Sequence, residues 1–196
     1  MMRLHNLTAV TGGIGSGKSV VCRILECMGF AVYDCDRRAK QLMDASDEVK
    51  CMIARDIAAA AIDDGGNIDR AKLAEIVFAD REKLLMLNRA VHSIVIADLA
   101  EWYEQQSGIS FVETAILYQS GLDRVVGEIW EVTAPIDVRI RRVMERNSIS
   151  ADQVRARIEA QRADEDASEC ATEHRVIVND GERALLPQIW RLILEK

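Results

Sequence analysis

Apolar positions change their spacing several times along the chain, and each change marks an element. Residues 7–10 form a short apolar run that stops at a glycine-rich stretch, and residues 19–28 then carry apolar side chains at helical spacing up to Gly29. That order predicts strand, loop and helix, with Gly29 where a left-handed residue ends a helix. Residues 30–33 are a second apolar run, closed by Asp34 and Asp36. The chain thus opens as a βαβ-type unit, for which parallel strands are expected.

From about residue 37 to 106 the pattern turns to helix after helix. Ser46, Asp69 and Asp80 suit N-caps, residues 63–67 read as a turn, and no strand candidate appears. Strand patterns return at residues 110–114 and 129–132, and Pro135 then stands where its fixed φ favours a helix start. Ser150 and Gln153 form a capping-box pair for a helix running to about Arg162. A last strand at 175–178 and a last helix at 182–194 follow. Alternating strands and helices with one helical interruption imply a parallel sheet covered on both faces. The expected core is 1–36 and 107–196, with 37–106 inserted.

Composition narrows the class. A chain of 196 residues, 49% hydrophobic and 29% charged, suits one globular domain with an insertion. The net charge of -7 argues against a nucleic-acid binder, although an acidic chain can still hold phosphates locally. No segment approaches the roughly 20 apolar residues of a membrane span, and the first ten residues hold too short a run for a secretory leader. A cytoplasmic protein without a membrane partner, monomeric or weakly oligomeric, is the expectation. The 5 cysteines, Cys22, Cys27, Cys35, Cys51 and Cys170, are odd in number and form no C-x-x-C pair, so free thiols are expected.

The glycine-rich stretch, Gly12-Gly13-Ile14-Gly15-Ser16-Gly17-Lys18-Ser19, satisfies G-x-x-x-x-G-K-[ST] and sits between a strand and a helix. Glycines let the backbone approach phosphate oxygens closely, and the helix end adds partial positive charge. Lys18 is placed to reach the β- and γ-phosphates of a nucleoside triphosphate, and Ser19 to offer its hydroxyl to Mg²⁺. No N-K-x-D run for guanine is present, and 196 residues leave no room for transport-ATPase signatures. A kinase of a small acceptor remains.

Such a kinase needs a carboxylate to orient the acceptor hydroxyl and positive charge for the transferring phosphoryl. Asp34 and Asp36 lie at a strand's carboxyl end, where ligands of open α/β sheets bind, and strand alternation would point both to one side. Either could instead cap the next helix, expected near Arg37. Arg139, Arg142 and Arg146 fall at i, i+3 and i+7 on one helix face, with Arg155, Arg157 and Arg162 beyond the Ser150 cap. They suit phosphate oxygens, or a solvated face paired to Glu145, Asp152 and Glu159. Glu113 ends an apolar strand as a carboxylate that could hold a Mg²⁺-bound water, or as a plain strand-end acid. His92, on the helical stretch, is a substrate-contact candidate or an ordinary helix histidine. A nucleoside or nucleotide kinase and a non-catalytic nucleotide-binding module stay open on these residues alone.

The ordered set of motifs resembles the dephospho-CoA kinase family. It comprises Thr11 to Ser19, Asp34-Cys35-Asp36, Gly66-Asn67-Ile68-Asp69-Arg70, Leu73, Val77-Phe78, Leu87-Asn88 and Val91-His92. It continues through Ala115-Ile116-Leu117, Arg142, Arg146, Ile158 with Gln161, and Val176 to Gly181. The family usually has proline where this chain has Ser93 and Ala115, and residues 164–169 are unusually acidic. The resemblance implies an α/β P-loop NTPase fold, with 37–106 as a helical acceptor domain and about 139–165 as a small helical lid. It also implies transfer of the γ-phosphoryl of ATP to the ribose 3′-hydroxyl of dephospho-CoA with Mg²⁺. Asp36 would be the base with Asp34 beside it, and Lys18 and Arg142, joined by Arg146, would stabilise the phosphoryl. Gly13, Ile14, Gly15, Ser16, Gly17, Lys18, Ser19 and Val20 would hold the phosphates. Asn179 and Gly181 would flank adenine, His92 would meet the acceptor, and Ser19 and Glu113 would serve the metal.

Overall fold

The computed structural model describes residues 4–165 and 172–196, with side chains described up to residue 161 and from 172 onward. In chain order it runs β1 (Leu4–Thr11), α1 (Lys18–Cys27), β2 (Ala31–Asp34), α2 (Cys35–Ala45), α3 (Asp47–Met52), α4 (Arg70–Ala79) and α5 (Arg81–Glu104). It continues as β3 (Ser110–Glu113), α6 (Leu117–Ser120), β4 (Val126–Thr133), α7 (Ile136–Asn147), α8 (Ala151–Glu165), β5 (Glu173–Val178) and α9 (Leu185–Leu194). Two compact units result, one of residues 1–34 and 106–196 and one of residues 35–105.

In the first unit the five strands form one parallel sheet in the order β2-β3-β1-β4-β5. Central β1 is buried from Leu7 to Thr11, as both-face coverage of a parallel strand requires. On one face Val10, Phe111, Trp130, Val132 and Ile177 pack against Val21, Cys22 and Leu25 of α1 and Ile189 and Leu192 of α9. The Phe111 and Trp130 rings lie 5.0 Å apart across β1. Helix α1 stops as its sequence predicts. Gly29 takes φ 91°, its N–H donates to Glu26 O, and the Phe30 N–H donates back to Leu25 O, a Schellman closure. The capping box of α8 also forms, Gln153 N–H donating to Ser150 Oγ at 3.3 Å and Ser150 N–H to Gln153 Oε1 at 3.0 Å.

The second unit is helical, with Val49, Ile53, Ile57, Leu73, Val77 and Leu87 at the centre of its core. Ser46, Asp69 and Asp80 cap α3, α4 and α5 through their side-chain oxygens. Asp63 Oδ1 accepts the Gly65 and Asn67 N–H groups and so closes the turn at 63–67. A π-helical turn at Ile53–Ile57 and a 3₁₀ turn at Ala59–Ala61 were not legible in the apolar pattern. Among the described residues, no helix is long and apolar enough to cross a membrane.

Two expectations shift. Helix α2 begins at Cys35, directly after β2 ends at Asp34, so strand alternation never reaches Asp36, which stands in the helix's first turn. The last helix starts at Leu185, because Asp180 Oδ1 first takes the Glu182 and Arg183 N–H groups in a turn of its own. Those two bonds hold the Asp180 carboxyl below the usual carboxylate range. The short α6 follows β3 in a stretch to which the apolar pattern assigned no element. Cys22, Cys27, Cys35 and Cys51 are free thiols, whereas Cys170 and the acidic 166–169 stretch lie outside the described residues.

Candidate functional site: a phosphate loop and its supports

Glycine at the loop positions answers to contacts as well as to dihedrals. Gly12 takes φ 142°, and a Cβ there would strike the Val132 carbonyl oxygen of β4. Gly17, the residue before α1, takes φ 96°, and a Cβ there would strike the side-chain amide of Asn179. L-side chains are strained at both dihedrals and excluded by both neighbours. The loop can therefore lie flat against the carboxyl ends of β4 and β5.

Lys18 opens α1 and donates from Nζ to the Gly12 carbonyl at 2.8 Å, across the mouth of the loop. Ser19 donates from Oγ to Glu113 Oε1 at 2.7 Å. This contact joins two candidate metal-side residues separated by 94 positions, because β1 and β3 pair in parallel with Val10 opposite Glu113. Asp34 lies opposite Glu113 on the other side, at the end of β2. Three adjacent strands thus deliver the phosphate loop, Glu113 and Asp34 to one edge of the sheet. Beneath them Cys22 is buried, and burial followed by the charge of Glu113 pushes its thiol well above the ordinary range. It remains a protonated, inert neighbour.

Asn179 organises the other flank. It is 8% exposed, its backbone N–H donates to Thr133 O at 2.8 Å, and its Nδ2 donates to Ser16 O at 2.7 Å. Arg142 of α7 donates from Nη1 to the Asn179 carbonyl at 3.0 Å and from Nη2 to its Oδ1 at 3.3 Å. Gly181, at φ 93°, follows in the same turn. Arg139 donates from Nε to Ile14 O at 2.9 Å, and Ile14 N–H donates to Gln161 Oε1 at 2.8 Å. Ile14, Ile140, Val143, Val154 and Ile158 share one apolar cluster, which seats α7 and α8 on the loop.

The remaining candidates are less engaged. Arg146 is exposed and its Nε donates to the neighbouring Asn147 at 2.8 Å. Arg155 and Arg157 are exposed, and the Arg162 side chain lies outside the described residues. Val20, in the first turn of α1, is 51% exposed. Asp36 and His92 belong to the helical unit, Asp36 exposed and His92 half-buried, with burial holding the imidazole below its ordinary range. Sequence reasoning set Arg139 on one face of α7 and offered it to phosphate oxygens or to a solvated face; in the structure its Nε donates to the loop's own Ile14 carbonyl. Gln161 carried no signal beyond the family resemblance.

A five-stranded parallel sheet with this loop after its central strand defines a protein of the P-loop kinase fold. Residues 6–184 match the family model for dephospho-CoA kinase, and the chain belongs to the dephospho-CoA kinase family. A dephospho-CoA kinase of Bacteroides fragilis is 37% identical over 186 residues, 94% of this chain and 89% of the relative. A crystal structure of a Thermus thermophilus protein, TT1252, superimposes with a TM-score of 0.79 at 31% identity over 96% of both chains. A dephospho-CoA kinase from Campylobacter jejuni has the same fold, with a TM-score of 0.68 at 23% identity over 97% of this chain and 96% of its own.

Proposed function

We propose that this chain transfers the γ-phosphoryl group of ATP to the ribose 3′-hydroxyl of dephospho-CoA, giving coenzyme A and ADP in the final step of coenzyme A synthesis. The observation that carries the reading is the Ser19–Glu113 contact at 2.7 Å beside a complete phosphate loop. Family membership supplies the acceptor. The loop amides of Gly13 to Ser19 and the ammonium of Lys18 bind the β- and γ-phosphates. A hydroxyl and a carboxylate are hard oxygen donors that fit Mg²⁺, Ser19 directly and Glu113 through water, and the ion would offset phosphate charge there. Val20 continues the loop into α1.

The two bonds from Arg142 to Asn179 favour the nucleotide's flank for this guanidinium over the transferring phosphoryl. Asn179 and Gly181 border adenine beside it. Arg146, one turn along α7 and exposed, joins Lys18 at the phosphoryl group. Asp36 accepts the proton of the 3′-hydroxyl as the phosphoryl is transferred, and Asp34 stands beside it at the end of β2. The helical unit with His92 serves as the acceptor domain, and α7 and α8, about 139–165, serve as the lid.

ADP release from Mg-ATP tests this with dephospho-CoA beside a panel of nucleosides and nucleoside monophosphates. Turnover confined to dephospho-CoA is expected. Turnover with the nucleotides instead would keep the phosphate site and overturn the acceptor.

A further inference from the structure

Ile14, at the outer bend of the phosphate loop, is held by the two helices that follow β4 at its backbone N–H and its backbone C=O, which belong to two successive peptide units. Its N–H donates to Gln161 Oε1 at 2.8 Å, and its C=O accepts from Arg139 Nε at 2.9 Å. The other end of the same side-chain amide, Gln161 Nε2, donates to Ala115 O at 3.4 Å, two residues past Glu113. Gln161 is thus engaged as acceptor and as donor, on two different loops. The Ile14 side chain packs into the Ile140, Val143, Val154 and Ile158 cluster, so this residue is gripped by packing as well.

With the Gly13–Ile14 unit held at its N–H and the Ile14–Gly15 unit held at its C=O, neither can rotate without losing its partner. Loop amides bind an anion only while successive N–H groups keep converging directions, so two fixed peptide units at the bend fix the aim of those after them. The Arg139 guanidinium lies where a Cβ on Gly13 would stand, against the loop. We infer that Gln161 and Arg139 are positioning residues of the phosphate loop: they lock the two peptide units flanking Ile14, so that the later amides and Lys18 stay aimed at the phosphates of a nucleotide. Gln161 ties that clasp to the strand end carrying Glu113. The inference rests on the reading of this loop as the phosphate site of ATP.

The test uses Gln161→Met, which keeps the volume and removes both bonds, beside Ile158→Ala and Lys18→Ala. Ile158 is 2% exposed on the same helix and shares the apolar cluster of Ile14, so its truncation weakens that packing while leaving both Gln161 hydrogen bonds in place. ADP affinity by calorimetry, KM for ATP and for dephospho-CoA, kcat and melting temperature are measured for each. Gln161→Met is expected to weaken ADP and raise KM for ATP about fivefold, the size of one lost hydrogen bond, with KM for dephospho-CoA within about twofold. Ile158→Ala is expected to lower the melting temperature more and ADP affinity less. Equal proportions of lost stability and lost ADP affinity in these two variants would reduce Gln161 to a packing role and overturn the inference. Parent-like ADP binding by Gln161→Met beside a clear loss in Lys18→Ala would overturn the clasp alone. If the parent protein bound no ADP, or Lys18→Ala bound it as well as the parent, the loop reading would fall and take the clasp with it.

Discussion

Replacing Asn179 tests how much of the nucleotide flank hangs on one side chain. Its amide orientation is dictated by its neighbours, since Ser16 offers a carbonyl and Arg142 offers N–H donors, so Nδ2 faces the loop and Oδ1 faces the arginine. Asn179→Ala removes a buried neutral bond of 2.7 Å, about 1 kcal/mol net, and leaves the Ser16 carbonyl without that donor. The 3.3 Å contact from half-exposed Arg142 adds little, because water can take its place. A total of about 1–2 kcal/mol lowers the melting temperature by about 3–6 °C for a chain of this length. It also weakens ADP about tenfold if the loop relaxes from its bound shape. Asn179→Asp sharpens the test. The new carboxylate sets an oxygen against the Ser16 carbonyl and improves the pairing with Arg142, so it separates the two bonds. ADP affinity should fall further in the Asp variant than in the Ala variant. Calorimetric titration with ADP and a thermal melt read both effects. An Asp variant that binds ADP as well as the parent would refute the claim that the Ser16 contact holds the loop.

Glu113→Gln should raise the Mg²⁺ concentration needed for half-maximal rate at least tenfold while ADP binding in chelator stays near parent, and an unchanged Mg²⁺ titration would remove Glu113 from the metal side. Asp36→Asn should lose about 10² or more in kcat with ATP affinity kept, and Asp34→Asn should lose much less; equal or reversed losses would move the base to Asp34. Because burial lowers the His92 pKa in the folded chain, the unfolded chain protonates first as pH falls through about 6.5, so stability should drop there. His92→Gln should flatten that part of the stability-versus-pH curve, and a curve of parent slope would assign the loss to other groups.

The site's legibility divides along sequence distance. The phosphate loop is eight consecutive residues, and its mechanism needs a strand before it and a helix after it, both of which show in apolar spacing within twenty residues. The caps at Ser46, Asp69, Asp80 and Ser150 formed because a capping bond spans three positions and answers only to its own side chain. Boundaries were less readable. Whether the chain leaves β2 at Asp34 or two residues later is decided by where β2 stops pairing with β3, and Asp36 changed from a strand to a helix position on that account.

Roles within the site depended on tertiary structure. Residue types alone could mark arginines on one face of α7, since i, i+3 and i+7 share a face whatever the fold. They could not tell that Arg139 turns to the loop's own carbonyl and Arg142 to Asn179, while Arg146 stays at the surface. Those partners lie 125 and 37 residues away, brought close by the parallel order β1-β4-β5 and by the apolar cluster that seats α7 and α8. The chain by itself determined the chemistry on offer, because the phosphate loop is local and its geometry follows from glycines, a lysine and a helix end. The fold decided which side chain bonds the loop and which stays at the surface, because hydrogen-bond partners far apart in sequence are chosen by packing.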